Sequence, residues 1–304
     1  MLVLVIGLVL GLGYSGSGSE SVSGSGSGSG DCESCHAAEQ AEWMTSRHAA
    51  AWSDPIFQAE FAKGRPEWCV GCHATEADRD RGVGCTACHP GGVAADASPA
   101  ACARCHEFNF PILGAHGRLV RYTDEPMQAT VSQWRASSLS AAVECGDCHG
   151  EHGFRGSHDP DLVAGALALE VCRGGRDRVV VTATNRGAGH NIPSGGVHRR
   201  IALRVWRSSA PERLHEDALG RRFRVLPDGG KETTSDTTIP PGGAHRAEIA
   251  LDDLGGAADE PLNVELRYVY ALDEAADLGG AVLSRVIHHR RDAPADLPPC
   301  GPTE

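Results

Sequence analysis

The sequence predicts an α+β chain in two parts, short helices and irregular loops followed by an antiparallel β-sandwich-like domain. Three observations lead there. One five-residue word, Cys-x-x-Cys-His, is written five times between Cys32 and His149. Hydrophobic residues make up 41% and aromatics 5% of 304 residues, which is thin for a conventional core of this size. From about Gly165 onward, apolar and polar residues alternate in short runs separated by Gly- and Pro-rich turns. The repeated word fits c-type haem attachment: two thiols add across the vinyl groups of one macrocycle, and the adjacent histidine becomes the proximal iron ligand. The first part is therefore expected to be a haem-packed, mostly helical or irregular multihaem cytochrome domain.

The five copies are Cys32/Cys35/His36, Cys69/Cys72/His73, Cys85/Cys88/His89, Cys102/Cys105/His106 and Cys145/Cys148/His149. Zinc ribbons also use Cys-x-x-Cys, but they do not need a histidine directly after every pair. The expected cofactor set is five covalently attached haem c groups. Ten of the twelve cysteines are then accounted for. The remaining two, Cys172 and Cys300, bracket the last third and are expected to form a disulfide, since this kind of haem attachment occurs outside the cytoplasm.

Taken in order, residues 1–14 hold the apolar run MLVLVIGLVLGLG, expected to be an export signal or a weak anchor. It is too short to span a bilayer, which takes about 20 residues. Residues 15–30 are a Gly/Ser linker with a reach of roughly 20 Å. Residues 31–162 form the expected pentahaem domain. Its middle three motifs start 16 and 17 residues apart, too close for independent folding (Cys69, Cys85, Cys102). Residues 163–304 form the β-sandwich-like domain, with strands expected over 165–172, 177–185, 199–207, 245–251, 262–272 and 280–288.

A weak internal repeat aligns Glu42–His48 with Gln133–Leu139, placing Leu139 where the first copy has His48. If His48 binds an iron, the equivalent haem of the second copy must find its ligand elsewhere or stay open. Electron-transfer haems are usually six-coordinate, so each iron calls for a second axial ligand. The candidates are His48, His116, His152, His158 and His190, the last in the Gly-rich segment Asn185–Gly195. His198, His215, His245, His288 and His289 read as surface residues. Trp43 and Trp134 read as packing residues.

The chain resembles a multihaem c-type cytochrome family, the group containing the tetrahaem cytochromes c of nitrifying bacteria. The resemblance is carried by Cys32-x-x-Cys35-His36 followed by Trp43-x-x-Ser46-x-His48, and by Met127-Gln128-x-Thr130-x-x-x-Trp134-x-x-Ser137. It continues in His152-x-Phe154-x-Gly156-x-His158-Asp159-Pro160 and Asn185-x-Gly187-Ala188-Gly189-His190-x-x-Pro193-Ser194-Gly195. It spans most of 31–200. It implies closely packed haems, mostly bis-histidine ligated, carrying electrons in the cell envelope.

The expected role is electron transfer between other redox proteins in the periplasm or at the cell surface. Two alternatives stand beside it. One is a nitrite- or hydroxylamine-type oxidoreductase with one open haem, although the Cys-x-x-Cys-Lys word common in pentahaem nitrite reductases is absent. The other is a subunit of an extracellular cytochrome filament or complex. The formal net charge of −12 argues against nucleic acid and for a neutral or basic partner.

Overall fold

The computed structural model describes residues 32–92, 94–271, 277–279 and 281–301. The expected signal at 1–14 and linker at 15–30 lie outside the described residues, as do parts of the expected strands 262–272 and 280–288.

The first half is built from short helices: α1 (Ala37–Met44), α2 (Pro55–Ala62), α3 (Glu67–His73), α4 (Pro99–His106), α5 (Thr130–Ala136), α6 (Cys145–His149) and α7 (Pro160–Ala166). Three of them start the same way. Asp54, Ser98 and Asp159 each accept a bond from a backbone N–H of the first turn, and each is followed by a proline. The side-chain oxygen satisfies a donor that the helix leaves orphaned, and proline gives up an N–H that had no partner there. None of these helices exceeds eight residues, so each depends on tertiary contacts for its stability.

Between α4 and α5 runs an antiparallel hairpin, β1 (Glu107–Leu113) and β2 (Leu119–Ala129). This corrects the expected fold class. Of the described residues, 26% are helix and 32% strand, in three antiparallel sheets, and they are not led by a mostly helical haem-packed domain. The physical reason lies in Glu107–Ala129. This stretch is too rich in Phe, Ile, Leu, Val and Tyr to stay irregular, and β pairing satisfies its backbone.

The second half holds two sheets. β3 (Leu167–Arg173), β4 (Arg178–Asn185) and β8 (Ala244–Ala250) make a three-stranded sheet in the order β3-β4-β8. β5 (Arg200–Arg207), β6 (His215–Val225), β7 (Lys231–Asp236), β9 (Leu262–Val269) and β10 (Ser284–Asp292) make a five-stranded one, ordered β10-β9-β5-β6-β7. Alternate residues of the strands face a common core: Val179, Val181 and Ala183 from one sheet, Ile201, Leu203, Val205, Val264 and Leu266 from the other. Cys172 and Cys300 form the expected disulfide, with Cα atoms 5.0 Å apart. Beside it the tail lies along β3, where Arg173 N–H donates to the Pro298 carbonyl at 2.8 Å and Cys300 N–H to that of Arg173 at 3.1 Å.

Burial divides the two halves. The core cluster runs from Val163 to Leu297. Among the described residues before it, only Ala74, Phe110 and Val131 are buried hydrophobics. Polar contacts fix the hairpin against the sheets. The Arg221 guanidinium donates to Glu125 Oε1 at 3.0 Å and to the Pro126 and Met127 carbonyls at 2.6 and 3.2 Å. Arg121 pairs with Asp228 at 2.9 Å.

Candidate haem-attachment and ligation site

Each motif occupies one helical turn. The second, fourth and fifth lie in α3, α4 and α6. The first and third are isolated turns, in which His36 N–H donates to Cys32 O and His89 N–H to Cys85 O, both at 2.9 Å. In a helical turn, residues i, i+3 and i+4 share one face. Both thiols and the histidine of each word therefore sit on the same side.

All ten motif cysteines are free of disulfides. The middle motifs also approach one another. The Cys72 and Cys105 thiols share a hydrogen bond that lowers the pKa of Cys72 and raises that of Cys105. Cys102 is pushed up to about 11, first by burial and then by the Cys145 thiol beside it. Motifs two and four, and four and five, thus come together at their cysteines.

Three motif histidines stand opposite three of the candidate second ligands. The ring centroids of His106 and His48 are 6.3 Å apart with planes at 47°. His89 and His152 are 6.5 Å apart at 4°, and His149 and His190 are 6.2 Å apart at 7°. These rings are too far apart to touch. The separation is the one expected of two imidazoles on a single metal ion: with metal–nitrogen bonds of about 2 Å, the centroids fall a little over 6 Å apart. These three pairs fit a bis-histidine iron.

Several ring nitrogens are already engaged on the other side. Nδ1 of His73 contacts the Ala51 carbonyl at 2.9 Å, Nδ1 of His190 the Asn191 carbonyl at 3.0 Å, and Nδ1 of His149 the Arg155 carbonyl. Such a bond fixes the tautomer and leaves Nε2 as the free ligand atom. Burial holds the pKa of His48 and His190 below the ordinary histidine value. His106 is open to solvent, yet desolvation by the surrounding protein, with a smaller effect of His48, lowers it to about 4. Neutral imidazole is the form that ligates.

The other four candidate ligands are placed differently. His36 is exposed, 3.9 Å from Glu39. His73 stacks on Phe57, centroids 3.8 Å apart. His116 is exposed in the turn between β1 and β2 at φ +57, where Gly117 packs against Pro66 at the start of α3. His158 stacks on Tyr270 at 3.9 Å, and burial followed by Arg47, Arg199 and Arg285 lowers it to about 3. Of the histidines read as surface, His288 contacts the Leu167 carbonyl through Nε2 at 2.6 Å and His245 contacts Asp217 at 2.7 Å.

Trp43 and Trp134 do more than pack. The Trp43 indole donates to the Val83 carbonyl at 2.9 Å, and Trp134 donates to the Val143 carbonyl at 2.9 Å. Each valine stands two residues ahead of a motif, at Cys85 and Cys145. This pairing was missed from sequence, although Val-x-Cys-x-x-Cys-His recurs in those two motifs alone.

Among the described residues, no group of three or more His, Cys, Asp or Glu side chains could hold a metal ion by itself, and no helix is long and apolar enough to cross a membrane. No family model, no curated protein and no solved structure matches the chain. The resemblance to the group of the tetrahaem cytochromes c is therefore corrected. It has no family match behind it, the described side chains form no group of three or more that could hold a metal ion, and the described backbone is richer in strand than in helix.

Proposed function

We propose that the chain is an exported electron carrier that binds five haem c groups covalently and passes electrons between other redox proteins of the cell envelope. The observation that carries this reading is the coincidence of two independent patterns. Five Cys-x-x-Cys-His turns supply thiols and proximal histidines, and three of those histidines face a second histidine at 6.2–6.5 Å. The disulfide supports an oxidising compartment.

The chain's own residues have clear duties in this reading. The thiols of Cys32, Cys35, Cys69, Cys72, Cys85, Cys88, Cys102, Cys105, Cys145 and Cys148 would anchor the haems. His36, His73, His89, His106 and His149 would ligate from the proximal side. His48, His152 and His190 would close three of the irons from the other side, and His116 and His158 remain candidates for the other two. The haem supplies a reversible one-electron change at iron, and two strong axial ligands keep that change free of side chemistry. A net charge of −12 favours a neutral or basic partner. The test is a haem count on the exported protein by pyridine haemochrome. Five per chain is expected, and fewer than three would remove the ligation scheme along with the function.

A further inference from the structure

The two tryptophan segments repeat in three dimensions as well as in sequence. In the first, Ser46 N–H donates to the Trp43 carbonyl at 2.8 Å, the Trp43 indole donates to Val83 O, and Val83 N–H donates to the His48 carbonyl at 2.9 Å. In the second, Ser137 N–H donates to Trp134 O at 2.9 Å, the Trp134 indole donates to Val143 O, and Val143 N–H donates to the Leu139 carbonyl at 2.9 Å. The bonds match one for one. Each unit fastens the residue five places after its tryptophan to the backbone just ahead of a Cys-x-x-Cys-His turn.

The units differ in the chain beyond their clamped motifs. After the motif clamped by the first unit, Cys85–His89, comes a further motif, Cys102–His106, and His48 faces His106 at 6.3 Å. After the motif clamped by the second unit, Cys145–His149, there is no further motif. We infer that these are two copies of one haem-holding unit whose fifth residue after the tryptophan serves the iron of the next motif along the chain. His48 is then the second ligand at the fourth motif, and Leu139, with no later motif to serve, is a ligand to none. Leu139 therefore marks no open iron. The fifth-motif iron takes His190, whose ring lies 6.2 Å from His149 and whose neighbour Gly189 packs on Trp134 and Leu139.

This inference rests on the proposed haem binding, and a haem count of five in the wild-type protein is checked first so that the two can fail separately. The test is low-temperature EPR of oxidised holoprotein variants. His48→Ala should turn one haem of the five high-spin, while Leu139→Ala leaves every low-spin signal in place. Removing the fourth haem with Cys102→Ala/Cys105→Ala in the His48→Ala background should abolish the high-spin signal. Removing the third with Cys85→Ala/Cys88→Ala should retain it. The reverse result, or a high-spin iron in Leu139→Ala, overturns the inference.

A single substitution gives an independent check should the haem-deleted variants not fold. The angle between axial imidazole planes sets the splitting of the iron d orbitals, so the 47° pair should give a signal distinct from the near-parallel pairs at 4° and 7°. His48→Met should remove the signal of the tilted pair alone. Loss of a near-parallel signal instead would contradict the assignment.

Discussion

At the residue scale, burial acts on histidines throughout the chain, including one outside the ligation scheme. His198 is half-buried, and desolvation holds its pKa below the ordinary value of 6.5, against a smaller opposing effect of Glu60. The sign comes from linkage. The unfolded chain takes up a proton near pH 6.5, whereas the folded chain resists until a lower pH, so falling pH favours the unfolded state across that window. His198→Gln is expected to flatten the loss of stability as pH falls below about 6.5, measured by urea denaturation at several pH values. An unchanged pH slope would show that His198 is hydrated in the folded protein. At this scale the five Cys-x-x-Cys-His words could be read as expected attachment sites because c-type haem attachment has a fixed five-residue spacing. Which second histidine faces which motif was not legible. His48 and His106 are separated by 58 positions, and their approach depends on tertiary contacts that no local pattern encodes.

At the element scale, the strands that sequence found are those with alternating apolar residues: β3, β4, β5, β8, β9 and β10. β6 and β7 were missed for a physical reason. His215–Val225 carries three arginines, an aspartate and a glutamate, and Lys231–Asp236 is wholly polar, so neither shows a hydrophobic face. Pairing with an already formed sheet makes them strands, β7 as an edge whose charges discourage further pairing. The β1–β2 hairpin escaped notice because Pro111 and Pro126 interrupt its pattern. Its attachment combines the Phe110–Phe223 ring contact, with centroids 5.0 Å apart, and the polar contacts of Arg221, whose side chain is 17% exposed beside Glu125. Arg221→Met should cost about 1–2 kcal/mol, because Glu125 and two carbonyls lose a charged donor in a half-buried setting. The loss should appear as faster amide exchange in Leu119–Ala129, with β4 and β5 unaffected. Equal exchange throughout would mean that the hairpin is held by other contacts.

At the scale of the whole molecule, the chain divides its means of stabilisation. The second half folds around its own apolar core, from Val163 to Leu297, and closes it with a disulfide spanning 128 residues. A loop of that length places the expected effect of Cys300→Ser at about 3–5 kcal/mol, read as a drop in thermal midpoint that reducing agent reproduces in the wild type. Among its described residues, the first half has short helices, a hairpin and three buried hydrophobic side chains. The proposed electron-carrier role requires the haems proposed for the five motifs to be closed on both sides by histidine. The most direct measurement is a low-temperature EPR spectrum of the oxidised wild-type protein at known haem content. Low-spin ferric signals only are expected, including one tilted and two near-parallel ligand pairs. A high-spin ferric signal near one haem equivalent would contradict a closed electron carrier and reveal an iron open to ligands.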